Sequence, residues 1–409
     1  MNRTSTQIFI ALPVMDEREN LPGFMECLRR QSFQDFELYI CVNQPEDWWS
    51  LKEKRHVCED NKSSLEYLNS LNDLKLEIID RSSIGNGWKG KKKGVGWARK
   101  IPMDRIAEMA TPSDIIVSID ADTAFEPEYL KSLVEFFHGN KNAVAIAIPY
   151  YHKLTGDDEK DRNILRYEIY MRYYAINLWR INNPYAFTAI GSAIALPVKS
   201  YKTIGGITPH NSGEDFYFLQ KLRKFGQIAT WNREKVYPEA RFSDRVGFGT
   251  GPAMIRGRAG DWSGYPIFPY PLFDEIKKTY NLFDDLFEKD VPTPMDEFNG
   301  MKFGDVSIWQ PLRINSKTKK QFIKACTHKI DAFRIIQFLK WENTKLQQSD
   351  EENLIDFFNH HYSELIPTFS FEREKLNFAK SPIEELNEIR NLLLSIEEKY
   401  QKSNANKSK

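Results

Sequence analysis

Two carboxylates one residue apart, Asp120 and Asp122, are the residues of this chain best suited to chemistry. They follow the apolar run 114–117, which predicts a buried strand, so they stand at its carboxyl end. Ligands of open α/β sheets bind at that edge. Neighbouring carboxylates repel, and a site that keeps both ionised usually supplies a cation. Oxygen ligands favour Mg²⁺ or Mn²⁺ shared with substrate phosphates. A solvated turn after the strand is the alternative.

The elements that must position these carboxylates alternate between strand and helix through the first half of the chain. The residue pattern predicts strands over 7–12, 36–42, 74–80, 115–119 and 143–149, and helices over 21–31, 61–71, 94–110 and 128–137. Such alternation predicts an α/β fold of the Rossmann-like kind, with a mostly parallel sheet flanked by helices.

The pattern changes after Pro149. Helical spacing covers 161–182 and 213–225, with a short strand over 193–196 between them, and 237–273 is irregular and rich in Gly, Pro and Arg. Long irregular segments are more often functional than structural. Further helices are predicted over 274–288, 318–345, 350–363 and 382–400, before a polar tail from Lys402 that is expected to be disordered. We therefore expect two domains, 1–273 and a helical 274–409.

The composition excludes several classes of protein. Lys plus Arg equals Asp plus Glu at 57 each, so net charge gives no argument for a nucleic-acid partner, and none is expected. Four cysteines without close pairing or metal-type spacing predict a reduced, cytoplasmic protein. No run approaches the ~18 apolar residues of a membrane span. Peripheral membrane contact stays open.

A glycine-rich segment, Gly85 to Lys92, imitates two nucleotide-binding motifs. It satisfies a P-loop at all but the last position, where Lys92 stands in place of Ser or Thr. The dinucleotide fingerprint fails because it normally follows the first strand of the sheet. A basic loop over 89–93, holding a diphosphate through Lys92, is the remaining functional interpretation. A solvated basic loop is the alternative.

Several fragments, taken in order, resemble the family 2 glycosyltransferases over roughly residues 7–235. The opening Leu12–Pro22 is similar to the family's first strand and loop, with Asp16 in place of the usual Asn. The stretch 94–99 resembles its helix start after the third strand. Asp120-Ala121-Asp122 matches its metal and nucleotide-diphosphate motif, and 213–216 matches its Glu-Asp motif.

The resemblance implies a GT-A fold and metal-dependent, inverting transfer of a sugar from a nucleotide-sugar donor, as in cell-surface glycan synthesis. The acceptor hydroxyl stays open between a glycan, a lipid-linked and a small molecule. Asp122 would be the direct ligand of Mn²⁺ or Mg²⁺, and Asp120 would contact the metal or the ribose. Asp215 would be the general base at a helix start, with Glu214 orienting substrate. Helix capping by the two acids is the alternative.

The same resemblance implies a set of donor-binding residues: Pro13, Glu17, Asn43, Lys92, Arg99, Asp120, Ser192 and Arg245. Asn43-Gln44 departs from the family's usual Asp-Asp, so the nucleotide base stays open. The loop 241–258 has several glycines and flanking arginines, which suits a lid over an anionic ligand. An irregular surface loop is the alternative.

Two other functions compete with sugar transfer. A nucleotidyltransferase acting on a sugar phosphate is expected to show a Gly-rich, Lys/Arg-containing signature after the first strand, and 13–20 lacks one. A non-catalytic nucleotide-binding protein with the same fold has no need of either acidic pair, and this chain has both.

Overall fold

A central sheet is built from strands that the sequence places mostly in the first half of the chain. The computed structural model describes residues 6–90, 92–245, 247–304, 308–368 and 376–407. Two residues of the predicted loops lie outside these ranges. They are Lys91 of the basic loop 89–93 and Val246 of the loop 241–258, which is called the glycine-rich loop below. Within those ranges the strands are β1 (Ile8–Val14), β2 (Phe36–Asn43), β3 (Leu76–Arg81), β4 (Ile115–Ser118), β5 (Thr123–Phe125), β6 (Ala143–Ala147), β7 (Ile194–Pro197), β8 (Gln227–Ala229) and β9 (Val236–Pro238).

Seven strands form one mixed sheet in the order β3-β2-β1-β4-β7-β6-β8. β1 pairs in parallel with both β2 and β4, β2 with β3, and β6 with β8, whereas β7 runs antiparallel to β4 and β6. The mostly parallel α/β fold class is therefore confirmed. The register Ala11↔Ser118 brings the carboxyl ends of β1 and β4 to the same edge. That edge is where Asp120 and Asp122 follow.

The first eight helices in the described ranges are α1 (Leu21–Arg29), α2 (Arg55–Ser70), α3 (Val95–Met109), α4 (Tyr129–Gly139), α5 (Asp158–Arg180), α6 (Val198–Thr203), α7 (Glu214–Phe225) and α8 (Thr250–Arg258). Six of these eight lie close to predicted positions, whereas α6 and α8 were not predicted. The prediction of an irregular 237–273 was wrong in part, because α8 lies within it. β9 begins at Val236 and pairs antiparallel with β5.

The C-terminal region is helical, as predicted. Its helices are α9 (Tyr270–Asn281), α10 (Phe283–Glu288), α11 (Asp296–Phe303), α12 (Trp309–Ile314), α13 (Lys319–Lys329), α14 (Ala332–Asn343), α15 (Asp350–His361) and α16 (Ile383–Lys407). The single helix predicted over 318–345 is two, because Asp331 caps α14 by accepting the Arg334 N–H. The predicted disordered tail was wrong for 402–407, which continue α16.

The chain forms two compact units. One comprises Met1–Ile164, Phe187–Gly260 and Gln401–Lys409, and the other comprises Leu165–Ala186 and Asp261–Tyr400. Residues 165–180, the larger part of α5, thus belong with the C-terminal helices, which the sequence did not predict. The domain boundary after residue 273 stays a prediction. None of the helices in the described ranges is both long and apolar enough to cross a membrane.

A buried ion network ties α5 to α16 inside the second unit. Arg172 donates to Glu168 Oε1 at 2.6 and 2.9 Å and also to Glu397. Arg390 Nη1 lies 3.6 Å from Glu168 Oε2. The four side chains are at most 3% exposed. Because water cannot solvate these charges, each guanidinium depends on its carboxylate partners.

Glu168→Gln is expected to lower the free energy of unfolding by about 3 kcal/mol, since it leaves two buried guanidiniums short of one negative charge. The midpoint of urea unfolding, followed by circular dichroism, measures this. Glu384→Gln, which alters an exposed side chain in the first turn of α16, is the matched control. The two variants should differ clearly, and equal midpoints would contradict the dependence of the network on Glu168.

Candidate active site

The site begins where β4 ends. Ser118 is the last residue of β4, and the chain then turns through 119–122 into β5, with the Thr123 N–H donating to the Asp120 carbonyl at 3.1 Å. The Glu239 N–H, just after β9, donates to the Asp122 carbonyl at 3.0 Å. Backbone pairing on both sides therefore fixes the two aspartates at the ligand edge of the sheet.

Arg99 is the centre of the site. It lies on α3 and is 2% exposed, and its side chain contacts the end of β4 and the turn 119–122 that follows. Its guanidinium donates to Ser118 Oγ at 2.6 Å, Asp120 Oδ1 at 2.8 Å, Glu214 Oε1 at 3.1 Å and the Gly191 carbonyl at 3.3 Å. These bonds join the predicted donor motif to the predicted Glu-Asp motif, which lies 115 residues from Arg99 in the sequence.

The small residues before β7 complete the surroundings of Asp120. Ser192 Oγ donates to Asp120 Oδ2 at 2.8 Å, so both carboxylate oxygens are held. A Cβ on Gly191 would lie 2.6 Å from Arg99 Nη2 and 3.4 Å from Asp120 Oδ2. Only a glycine lets the backbone approach the guanidinium this closely. The segment 191–192 therefore has a packing role beside the aspartate.

A second charged cluster surrounds Asp122. Arg241 donates to Asp122 Oδ2 at 2.6 Å and binds Glu17 with both terminal nitrogens, one of them at 3.0 Å. Arg245 also binds Glu17 and donates to the Met15 and Asp16 carbonyls at 2.7 and 3.1 Å. From the sequence, Arg241 was expected only to be one of the arginines that flank the loop 241–258. The contacts make it a member of the site.

Burial shifts the acid–base behaviour of this second cluster. Loss of solvent raises the pKa of Glu17 to about 7 and that of Asp122 to about 7, and the charge of Arg241 opposes both shifts. Negative charge on Asp120 raises both pKa values further. The three carboxylates are thus close enough to influence one another. Burial outweighs the charge of Arg241 at both Glu17 and Asp122.

The Glu-Asp pair begins α7. Gly213 caps the helix at φ 68°, in the left-handed region that favours glycine. Glu214 is 4% exposed and points to Arg99, whereas Asp215 is half-buried and accepts the Phe216 N–H at 2.7 Å. Burial, followed by the charge of Glu214, raises the pKa of Asp215 to about 7, against the effect of Arg99. Glu214 therefore faces inward, and Asp215 is the accessible acid.

The glycine-rich loop lies against the start of α7. Cβ atoms built on Gly213 and Gly247 would lie 3.8 Å from Phe248 Cδ1 and from Ser212 Oγ respectively. Phe248 is nevertheless 51% exposed. An exposed aromatic ring therefore lies near Gly213, the residue that caps α7. Lid closure over an anion by this loop stays a prediction.

Three predicted donor residues lie outside the two charged clusters. Pro13 is buried within β1. Asn43 donates its amide to the Val14 carbonyl at 2.9 Å and accepts from Trp88 Nε1 at 3.0 Å, so it already ties β1 to the loop after β3. Lys92 Nζ lies 5.4 Å from the centre of the Trp97 ring. Their roles toward a donor stay predictions.

The other predicted residues come together in the two clusters: Glu17, Asp122 and Arg245 in one, and Arg99, Asp120, Ser192 and Glu214, with Asp215 alongside, in the other. In the part of the chain that the structure describes, no group of three or more His, Cys, Asp or Glu side chains is arranged to hold a metal ion. The carboxylates bind arginines instead.

Comparison with known proteins gives one family match. Residues 90–205 match the model of Glycosyl transferase family 2. The matched segment includes Arg99, both aspartates and Ser192, and it ends before the Glu-Asp pair. This confirms the resemblance that the motifs predict. No curated protein of similar sequence was found.

Solved structures give weaker similarities. The chain is similar to TarS 1–349 of S. aureus in complex with UDP-GlcNAc, at 12% identity and a TM-score of 0.40 over 97% of this chain and 92% of that one. It is also similar to the mannosyltransferase PcManGT of Pyrobaculum calidifontis with GDP-Man and Mn²⁺, at 12% identity and 0.38 over 97% and 88%. Similarities of this size carry no argument about activity.

Gly191→Ala is expected to destabilise the protein by about 1–3 kcal/mol, because the added methyl meets a guanidinium pinned by four partners. Gly23→Ala in α1 is the matched control, since a Cβ there meets nothing within 4 Å and alanine favours a helix. The melting temperature should fall for the first variant and hold or rise for the second. Equal changes would show that Gly191 is not under this constraint.

Proposed function

We propose that this chain, a glycosyltransferase of the family 2 type, transfers a sugar with inversion from a nucleotide-sugar donor to a hydroxyl acceptor. The observation that carries the proposal is the bridge through Arg99, which donates to both Asp120 and Glu214. It places a motif suited to a diphosphate beside a pair suited to a general base. Sugar transfer needs both functions within the length of one sugar.

Asp215 is the proposed base. Its carboxylate takes the proton from the acceptor hydroxyl as that oxygen attacks the anomeric carbon. The bond from this carbon to the phosphate oxygen breaks, and the nucleoside diphosphate leaves with the electron pair. Attack on the side opposite the leaving group inverts the configuration. Asp215 suits this task because it is half-buried and its pKa is raised to about 7, near the pH at which it must accept a proton.

Glu214 and Arg99 position the reacting groups in this account. Glu214 is buried against Arg99, so it is oriented inward from the same helix turn as Asp215. Arg99 also fixes Asp120 at 2.8 Å. A buried guanidinium with several partners has little freedom, and it keeps the donor end and the base at a constant separation.

The donor end provides oxygen ligands for a divalent cation. Asp122, with Asp120 beside it, would hold Mn²⁺ or Mg²⁺, since hard cations prefer carboxylate oxygens. When bound, such a cation would neutralise charge on the leaving diphosphate. The mutual influence of the three carboxylates fits this use, because a cation would relieve their repulsion.

The acceptor side is proposed near Phe248. A half-exposed aromatic ring next to Gly213, two residues before Asp215, offers an apolar face to a sugar or another ring. The cysteines, all four of them buried and free in the described part of the chain, support the proposed cytoplasmic location. Nothing in the site favours a nucleotidyltransferase.

Release of nucleoside diphosphate from a panel of UDP-, GDP-, ADP- and dTDP-sugars, with Mn²⁺ present, tests the proposed function. At least one donor should be hydrolysed slowly by the parent protein, since water can replace an absent acceptor. A panel without any released diphosphate, combined with no binding of UDP or GDP, would overturn the proposal.

Asp215→Asn is expected to lower the rate by ~10²–10⁴, because the amide cannot accept a proton. Donor affinity should change little. In the parent, kcat/KM should fall as the pH drops below about 7, where Asp215 becomes protonated, and level off above it. Asp158→Asn, an exposed acid in the first turn of α5, is the control. A parent-like rate in Asp215→Asn would remove this residue from the mechanism.

Asp122→Ala is expected to abolish the Mn²⁺-dependent rise in melting temperature that a nucleoside diphosphate produces. The melting temperature without ligands should change little, because Arg241 keeps its two bonds to Glu17. Thermal shift with UDP or GDP, with and without chelator, measures both. Equal stabilisation of parent and variant would argue against a metal held by Asp122.

A further inference from the structure

One guanidinium occupies the position where a cation would meet Asp122. Arg241 donates to Asp122 Oδ2 at 2.6 Å and to Glu17 Oε2 at 3.0 Å, and it is 21% exposed. Neither the motifs nor the family match assigns it a role, since the matched segment ends at residue 205. Its charge does for Asp122 what a bound metal ion would do.

The backbone around this contact is fixed. β5 pairs with β9, and the Glu239 N–H donates to the Asp122 carbonyl at 3.0 Å. Arg245 anchors the following residues to the Met15 and Asp16 carbonyls. The main chain therefore holds both ends of the contact in place, so the bond between Arg241 and Asp122 can be exchanged by a movement of side chains alone.

Arg241 also binds the carboxylate of Glu17, and it keeps this partner if its bond to Asp122 breaks. Both of its terminal nitrogens reach Glu17, so giving up Asp122 costs one charge-assisted bond and leaves no unpaired guanidinium. Around Arg241, two guanidiniums (Arg241 and Arg245) pair with three carboxylates (Glu17, Asp122 and Glu239), and Asp120 lies close enough to raise the pKa of Glu17 and Asp122. Another cation is therefore electrostatically favoured there.

We propose that Arg241 is an exchangeable internal cation: it neutralises Asp122 while the donor is absent and releases this carboxylate, remaining on Glu17, when a divalent cation binds. The inference rests on the proposed function in assuming that Asp122 is a metal ligand. Exchange keeps Asp122 neutralised in both states. It also sets the metal concentration at which the donor end fills, because the ion must compete with a guanidinium.

Removal of the competitor should tighten metal binding. The bond that the ion must displace is charge-assisted, and loss of one such bond is worth about tenfold or more in affinity. Arg241→Gln should therefore bind Mn²⁺ alone with a midpoint about tenfold lower than the parent, as followed by the electron paramagnetic resonance signal of free Mn²⁺. Arg241→Lys, which keeps the charge but not the two-carboxylate geometry, should fall between them.

Two further variants make the test specific. Asp122→Asn should erase the gain, so that Asp122→Asn/Arg241→Gln binds Mn²⁺ no better than Asp122→Asn alone. Arg105→Gln is the control, since Arg105 also bonds two carboxylates, Glu77 and Glu108, on an exposed surface. It should leave the midpoint unchanged.

An unchanged or higher Mn²⁺ midpoint in Arg241→Gln would overturn the exchange. The exchange would also be overturned if the parent bound UDP or GDP equally well with and without chelator and the Arg241→Gln variant lost this binding. Arg241 would then itself be the cation that binds the diphosphate. A parent that binds Mn²⁺ but neither nucleotide would contradict the proposed function, while the comparison of Mn²⁺ midpoints would still decide the exchange.

Discussion

A buried positive charge organises the candidate site. Arg99 lies at 2% exposure beneath the sheet edge, where a guanidinium is stable only if fixed oxygens replace the water it has lost. Asp120, Glu214, Ser118 and the Gly191 carbonyl supply those oxygens. They come from three distant parts of the chain, so satisfying one charge determines where the end of β4, the 191–192 segment and α7 must meet.

That constraint separates two kinds of acid. Asp120 and Glu214 both bind Arg99. Asp122, two residues after Asp120, and Asp215, one residue after Glu214, do not bind Arg99, and burial raises the pKa of each to about 7. The two acids on Arg99 fix geometry, whereas Asp122 is bonded to Arg241, and Asp215 is the proposed base. The same physics recurs away from the site, where Arg172 pairs with Glu168 and Glu397, and Arg390 pairs with Glu168.

Local patterns predicted much of this protein and missed what depends on distant partners. The run 115–117 is apolar because β4 is buried on both faces, so the strand and the aspartates after it were predictable. The Asp331 cap that divides α13 from α14 was a local signal left unused. Arg241 carried no local signal, since its partners Glu17 and Asp122 lie 224 and 119 residues away. Asn43 was predicted to bind the donor, a role that stays a prediction; in the structure its amide bonds Val14 and Trp88.

The central claim is that Arg99 holds a donor site and a base on opposite sides of one anomeric carbon. A crystal structure with a non-transferable analogue of the donor found in the hydrolysis panel tests it most directly. The account predicts that the diphosphate lies at Asp122 and that the Asp215 carboxylate faces the anomeric carbon from the side away from the phosphate, with room for one hydroxyl between them. A nucleotide bound elsewhere, or Asp215 on the side of the leaving phosphate, would contradict it.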